Sequence, residues 1–157
     1  MPEPVRVVFD TNVLLSLFVF ADSRFAPLRG EVVSGHWVAL TSPPCLAEYQ
    51  RVLGYPLFEL SAEQQAAAYA AYLELVQIID GPPRSEIVLP KCQDKDDQKF
   101  LELARDGQAH WLVTADKLLL KLRRGRRLDH LFRVFTPDEA LQKVGAGETA
   151  PAAPLSC

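Results

Sequence analysis

The chain has 157 residues, 48% hydrophobic and 24% charged, with a formal net charge of −3. That length suits one domain with its own core, and the slightly acidic balance argues against a generic polyanion binder while leaving room for a local basic patch. Met1-Pro2-Glu3-Pro4 lacks the basic segment of a signal peptide and no apolar run is long enough to span a membrane. Cys45, Cys92 and Cys157 have neither metal-ligand nor disulfide spacing, so a reducing cytoplasm is the expected compartment.

Val5-Arg6-Val7-Val8-Phe9 is a nearly continuous apolar run that ends in Asp10, the pattern of a buried central strand with a carboxylate at its carboxyl end. Asn12 to Phe20 then reads as a helix capped by Thr11, and Phe25 to Gly35 as a second helix ending at a glycine. Trp37 to Leu40 is a strand. Ser42 caps the next helix, with Pro43 and Pro44 in its first turn, and Gly54-Tyr55-Pro56 breaks it after Leu53. Ser61 and Gln64 form a capping-box signature before an alanine-rich helix reaching about Val76. Glu86 to Leu89 is expected as a short edge strand before Pro90. Asp94 or Lys95 opens a helix ending near Asp106-Gly107. Trp111 to Thr114 is a buried strand leading into Asp116, Arg133 to Thr136 a last strand, and Pro137 starts a last helix to about Val144. Residues 1–144 thus form one domain, and 145–157, with almost nothing to bury, form a tail expected to be disordered. Strands alternating with helices predict an α/β sandwich with a mostly parallel sheet.

Ligands of such sheets bind outside the carboxyl ends of the strands, which is where Asp10 and Asp116 stand. Asp10 has a structural alternative, capping the helix that follows. Two helices carry acids on faces that should be buried. Cys45, Glu48, Tyr49 and Val52 share one face at helical spacing, which puts Glu48 inside an apolar stripe. Asp97, Leu101 and Ala104 share another, on the side toward the sheet. Four carboxylates at one sheet edge repel by roughly 4 kcal/mol per pair at ~4 Å and an effective dielectric near 20, so such a cluster needs protons or a cation. Oxygen ligands without His or Cys suit Mg²⁺ or Mn²⁺, and such ions on carboxylates are an arrangement for cleaving phosphodiesters. Asp94 and Asp96 are weaker candidates: Asp94 suits a helix cap, and Asp96, with Lys99 three residues on, reads as solvated. His36, His110 and His130 lack convergent spacing and read as incidental loop or surface histidines. No Walker loop, dinucleotide fingerprint or nucleophile elbow is present.

Phe9-Asp10-Thr11-Asn12-Val13-Leu14-Leu15, Glu48, the run from Cys92 to Ala104, and Leu112-Val113-Thr114-Ala115-Asp116-Lys117-Leu118-Leu119 together resemble PIN-domain proteins, closest to the toxins of bacterial toxin–antitoxin pairs. The resemblance runs from about Val5 to Val144. It implies a three-layer α/β/α domain acting as a Mg²⁺- or Mn²⁺-dependent endoribonuclease, with Asp10, Glu48, Asp97 and Asp116 as the catalytic and metal-holding quartet. Asn12 matches the family's polar position after the first acid. Thr114 matches a hydroxyl residue two before the last acid, suited to orienting it, and Asp94 takes a supporting place. The subgroup often has Cys-Arg-Asp where this chain has Cys92-Gln93-Asp94, so one local partner of the acids is lost. The implied partners are an RNA substrate and a small antitoxin, with a homodimer compatible.

Lys117, Lys121, Arg123, Arg124, Arg126 and Arg127 crowd the segment after Asp116. They read either as a solvated face or as a clamp for RNA phosphates beside the acids, with Arg51 a looser candidate. Tyr49, Tyr55 and Trp111 are candidates for stacking on bases, core packing being the better reading of Trp111. The rival from another class is a non-catalytic RNA- or protein-binding module on the same fold; a structure-selective DNA nuclease would want larger helical insertions.

Overall fold

The computed structural model describes residues 3–125 and 128–144. The expected tail at 145–157, and Arg126 and Arg127 of the basic stretch, lie outside them. Five strands form one parallel sheet in the order β3-β2-β1-β4-β5: β1 Val5–Phe9, β2 Trp37–Thr41, β3 Val76–Ile78, β4 Trp111–Val113 and β5 Arg133–Phe135. Among the described residues seven α-helices flank it: α1 Thr11–Leu14, α2 Ala26–Ser34, α3 Pro43–Leu53, α4 Ala62–Leu75, α5 Gln98–Asp106, α6 Lys117–Leu120 and α7 Pro137–Leu141.

Strand alternation sorts the side chains into two cores. Val5, Val7, Phe9, Trp37, Ala39, Trp111 and Val113 pack on one face with apolar residues of α1, α2, α3, α4 and α7. Val8, Leu40, Leu112 and Val134 pack on the other with Phe100, Leu101 and Leu103 of α5 and Leu119 of α6. The result is the expected three-layer α/β/α sandwich. Trp111 belongs to this core, edge-on to Trp37 with ring centroids 5.2 Å apart.

β1 is the topological switch point. The chain leaves it toward β2 and β3 on one side and returns to β4 and β5 on the other. Phe9 pairs with Val113, so Asp10 and Asp116 emerge from neighbouring parallel strands at the same sheet edge. Open α/β sheets leave their ligand crevice at this position.

Several local expectations are corrected. Asp10, not Thr11, caps α1: its Oδ1 accepts from the Val13 N–H at 2.9 Å, and Thr11 is the first helical residue. That helix ends at Leu14 and continues as a π-helical turn, Leu15–Val19. Glu86 to Leu89 is not a strand; the third strand is Val76–Ile78, directly after α4, beside β2. α7 ends at Leu141 rather than near Val144. His110 is no surface histidine. It is buried, its Nδ1 accepts the Arg6 N–H at 2.9 Å, and it extends the contact between β1 and β4. Burial, then the Arg6 charge, holds its pKa below the ordinary value.

Candidate metal centre

The acids arrive at the sheet edge by four routes, the last of them α3, which carries Glu48. Asp10 leaves β1 and Asp116 leaves β4. Asp94 and Asp97 flank a 3-10 turn, Lys95–Asp97, that leads into α5. The turn forms because Asp94 Oδ1 accepts from the Asp96 N–H at 3.0 Å, a local carboxylate-to-backbone bond that starts the helix. Asp94, Asp97 and Asp116 bring one carboxylate oxygen each within 4.8 Å of the others.

Asp10 is buried at 5% exposure beside them, with both oxygens held by protein donors: Oδ1 by the Val13 N–H and Oδ2 by the Thr114 hydroxyl. Thr114, fully buried, also accepts from the Asp116 N–H at 2.9 Å, so one hydroxyl ties the two strand-end acids together. Asp116 caps α6, its Oδ1 accepting from Leu118 N at 2.8 Å and Leu119 N at 3.4 Å. Glu48 reaches the edge from α3 with its oxygens also engaged. Oε2 accepts the Thr11 hydroxyl, and Oε1 lies 2.8 Å from Lys99 Nζ and 3.8 Å from the Arg51 guanidinium.

The electrostatics follow from burial and crowding. Desolvation pushes the Asp10 carboxyl up to about 6, against the lowering by Thr114 and Val13, with the charges of Asp116 and Glu48 adding to the rise. Asp97 is pushed up to about 7, first by desolvation, then by Asp116, Asp94 and Asp10. Asp97 Oδ2 is buried with no hydrogen-bond partner. An all-oxygen donor set in which one member, Asp97, keeps an unpartnered buried oxygen fits a hard divalent cation better than zinc or copper.

The four acids of the expected quartet therefore stand at one edge of the sheet. Three oxygens converge, but they come from Asp97, Asp116 and Asp94, while Asp10 acts at the cluster through its charge and Glu48 through Thr11 and Lys99. Asp94 is a member of the acid cluster as well as a helix cap. Its three-residue spacing from Asp97 at a helix start was the available signal. Asn12 is exposed on α1. Of the basic stretch, Lys117, Lys121 and Arg124 are exposed, while Arg123 is committed elsewhere: its guanidinium donates to Glu139 Oε1 at 2.7 Å and Val134 O at 3.3 Å. Tyr49 is fully buried against Tyr72 and cannot stack on a base.

Thr114 offers a direct test of this architecture. Thr114→Val keeps the shape but strands a buried carboxylate oxygen and the Asp116 N–H. The expected cost is ~2–4 kcal/mol in urea unfolding, with Thr114→Ser within ~1 kcal/mol of wild type. Equal stability of the valine variant would show that the hydroxyl does not join the two acids.

A family model for the PIN domain matches residues 6–118, a span that includes Asp10, Glu48, Asp97 and Asp116. Over 121 residues the chain is 28% identical to an uncharacterized protein of Methanocaldococcus jannaschii, covering 76% of each sequence. Its fold is similar to that of VapBC2 from Rickettsia felis, solved bound to a DNA fragment from their promoter: the TM-score is 0.55 at 18% identity, over 84% of this chain and 98% of the other. The family model spans well over half of the chain, and the chain belongs to the PIN-domain family.

Proposed function

We propose that this protein is a Mg²⁺- or Mn²⁺-dependent endoribonuclease of the cytoplasm, the toxin of a toxin–antitoxin pair. The observation that carries the reading is the convergence of Asp94, Asp97 and Asp116 at the switch point of the sheet, with one buried Asp97 oxygen left unpartnered. Asp97 and Asp116 would hold the ion, with Asp94 and Asp10 beside them and Glu48 as the remaining acid of the cleft. The ion would supply the positive charge that eases attack of water on a phosphodiester. Asp10 and Thr114 do the positioning: the hydroxyl orients Asp10 on one side and the Asp116 backbone on the other. The antitoxin partner is supported by the resemblance of the sequence motifs to toxins and by the fold likeness to VapBC2. No helix of the described residues is long and apolar enough to cross a membrane.

The test is Mn²⁺-dependent cleavage of a fluorescent single-stranded RNA by the purified chain, with chelator and Asp97→Asn as controls. Cleavage that persists in chelator would defeat the reading. The basic stretch carries its own expectation. Since Arg123 is bound by Glu139, the double change Lys121→Ala with Arg124→Ala should flatten the log–log salt dependence of RNA binding by ~1.4, two phosphates at about 0.7 each for a single strand. Arg123→Ala should instead leave that slope in place and lower thermal stability slightly, by less than ~1 kcal/mol. An unchanged slope in the double variant would make these side chains a solvated face.

A further inference from the structure

Lys99 follows Asp97 by two residues, yet its side chain turns across to α3, where Nζ stands 2.8 Å from Glu48 Oε1. The Asp96 carbonyl accepts from the same ammonium, and the Thr11 hydroxyl holds the other Glu48 oxygen. Thr11 adjoins Asp10, so a continuous run of contacts joins Lys99 to the acids at the end of β1. The Lys99 and Glu48 side chains are only 18% and 14% exposed. An ion pair this withdrawn from water adds little net stability, because desolvating both groups offsets their attraction. Holding the fold together does not account for it. What the pair does is fix one positive charge beside Glu48, an acid whose own charge acts on Asp10. It also leaves Glu48 with both oxygens taken, in contrast to Asp97, whose Oδ2 has no partner.

We propose that Lys99 is the second cation of the site. Resting on the nuclease reading above, the cluster takes a single divalent ion, and the Lys99 ammonium, aimed by Glu48, contacts the RNA phosphate where a two-ion nuclease would use another metal. Glu48 is then a positioning residue for Lys99 and not an ion ligand. The reaction keeps its ordinary balance. Water adds to phosphorus and gives one proton to solvent, the bond from phosphorus to the leaving ribose oxygen breaks, and that oxygen takes a proton from solvent. Lys99 retains its protons and contributes charge alone.

The experiment is calorimetric titration of the chelator-treated full chain with Mn²⁺, alongside kinetics on a short single-stranded RNA. The expected results are one Mn²⁺ per chain, in wild type and in Glu48→Gln alike. Lys99→Met should lower kcat by about 100-fold, the scale of removing one preorganised charge-stabilising donor, with the Kd for Mn²⁺ kept within about threefold. Lys99→Arg should stay within about tenfold of wild type in kcat, which also shows that the position tolerates change without unfolding. Two Mn²⁺ per wild-type chain, or loss of Mn²⁺ binding in Glu48→Gln, overturns the proposal. So does a Lys99→Met enzyme within about tenfold of wild type, or one that binds Mn²⁺ more than about threefold weaker. If wild type cleaves no RNA, the nuclease reading falls. The Mn²⁺ stoichiometries still decide, on their own, whether Lys99 stands in place of an ion.

Discussion

Asp116→Asn is expected to reduce Mn²⁺-dependent RNA cleavage by ~10³-fold or more while raising the melting temperature of the metal-free protein. The two effects have one cause. Asp116 is the residue whose charge acts most strongly on Asp97, after burial itself, and Asp97 already holds its proton to about 7. Without an ion, that repulsion is stored in the folded state. Asparagine deletes the charge but keeps an oxygen where Asp116 Oδ1 accepts from Leu118 and Leu119, so the cap of α6 survives. The relief should reach ~1 kcal/mol, the energy of about one pKa unit. Added Mn²⁺ should invert the order, since only the native cluster gains binding energy from the ion. Loss of one charge that would hold that ion is also why cleavage collapses. Thermal melts of both proteins at neutral pH, in chelator and in Mn²⁺, test this. A variant that melts below wild type in chelator would make Asp116 a structural cap and no part of a strained acid cluster.

The strand ends and their acids were readable because each is a short apolar run stopping at a carboxylate, and their pairing follows from the topology of parallel sheets. Glu48 and Asp97 were readable as acids on faces that should be apolar. β3 was hidden because Val76 to Ile78 continues the apolar pattern of α4 without a break and lies at the sheet edge, where little is buried. Glu86 to Leu89 has strand-like residues, but Val88 is 84% exposed and the run finds no neighbouring strand to pair with. The misjudged residues share a feature: each is defined by a contact distant in sequence. His110 is buried because Arg6 offers its N–H across β1 and β4. Arg123 reads in the sequence as part of a phosphate clamp, and the sequence does not show that its guanidinium lies on Glu139, in the capping box of α7. Lys99 stands three residues from Asp96, yet its ammonium meets only the Asp96 backbone carbonyl and pairs with the carboxylate of Glu48. Composition and periodicity report which side of an element is wet; they do not report which charge lies across the cleft.

In chelator, the protein should be most stable at mildly acidic pH and lose stability as pH rises to 8, the reverse of an ordinary carboxylate-paired protein. Asp10 titrates at about 6 and Asp97 at about 7 in the folded state, against 3.8 for an unperturbed aspartate. A carboxyl with a raised folded pKa binds its proton more tightly folded than unfolded. Its contribution is therefore fully present below the unfolded value and lost as pH passes through the folded one, here between about 4 and 7. Asp10, almost wholly buried, should account for up to ~3 kcal/mol at about 1.4 kcal/mol per unit. Asp97 is more open, and solvent screening reduces its share. His110 works in the opposite direction: its lowered pKa costs stability as pH falls below its ordinary 6.5, which blunts the slope at the acid end. Glu139, also lowered, acts only near and below its ordinary 4.5, under the pH 5 to 8 range of the measurement. Mn²⁺ should turn the profile around, because the ion binds the ionised carboxylates and its stabilisation grows as they lose protons. Chemical denaturation at pH 5, 6, 7 and 8, with chelator and with Mn²⁺, measures both slopes. Asp97→Asn should remove the part of the chelator slope near neutrality while leaving that of Asp10. A metal-free protein that gains stability steadily from pH 5 to 8 would mean that these carboxylates are ionised and relaxed in the fold, and that nothing in the cluster waits for a cation.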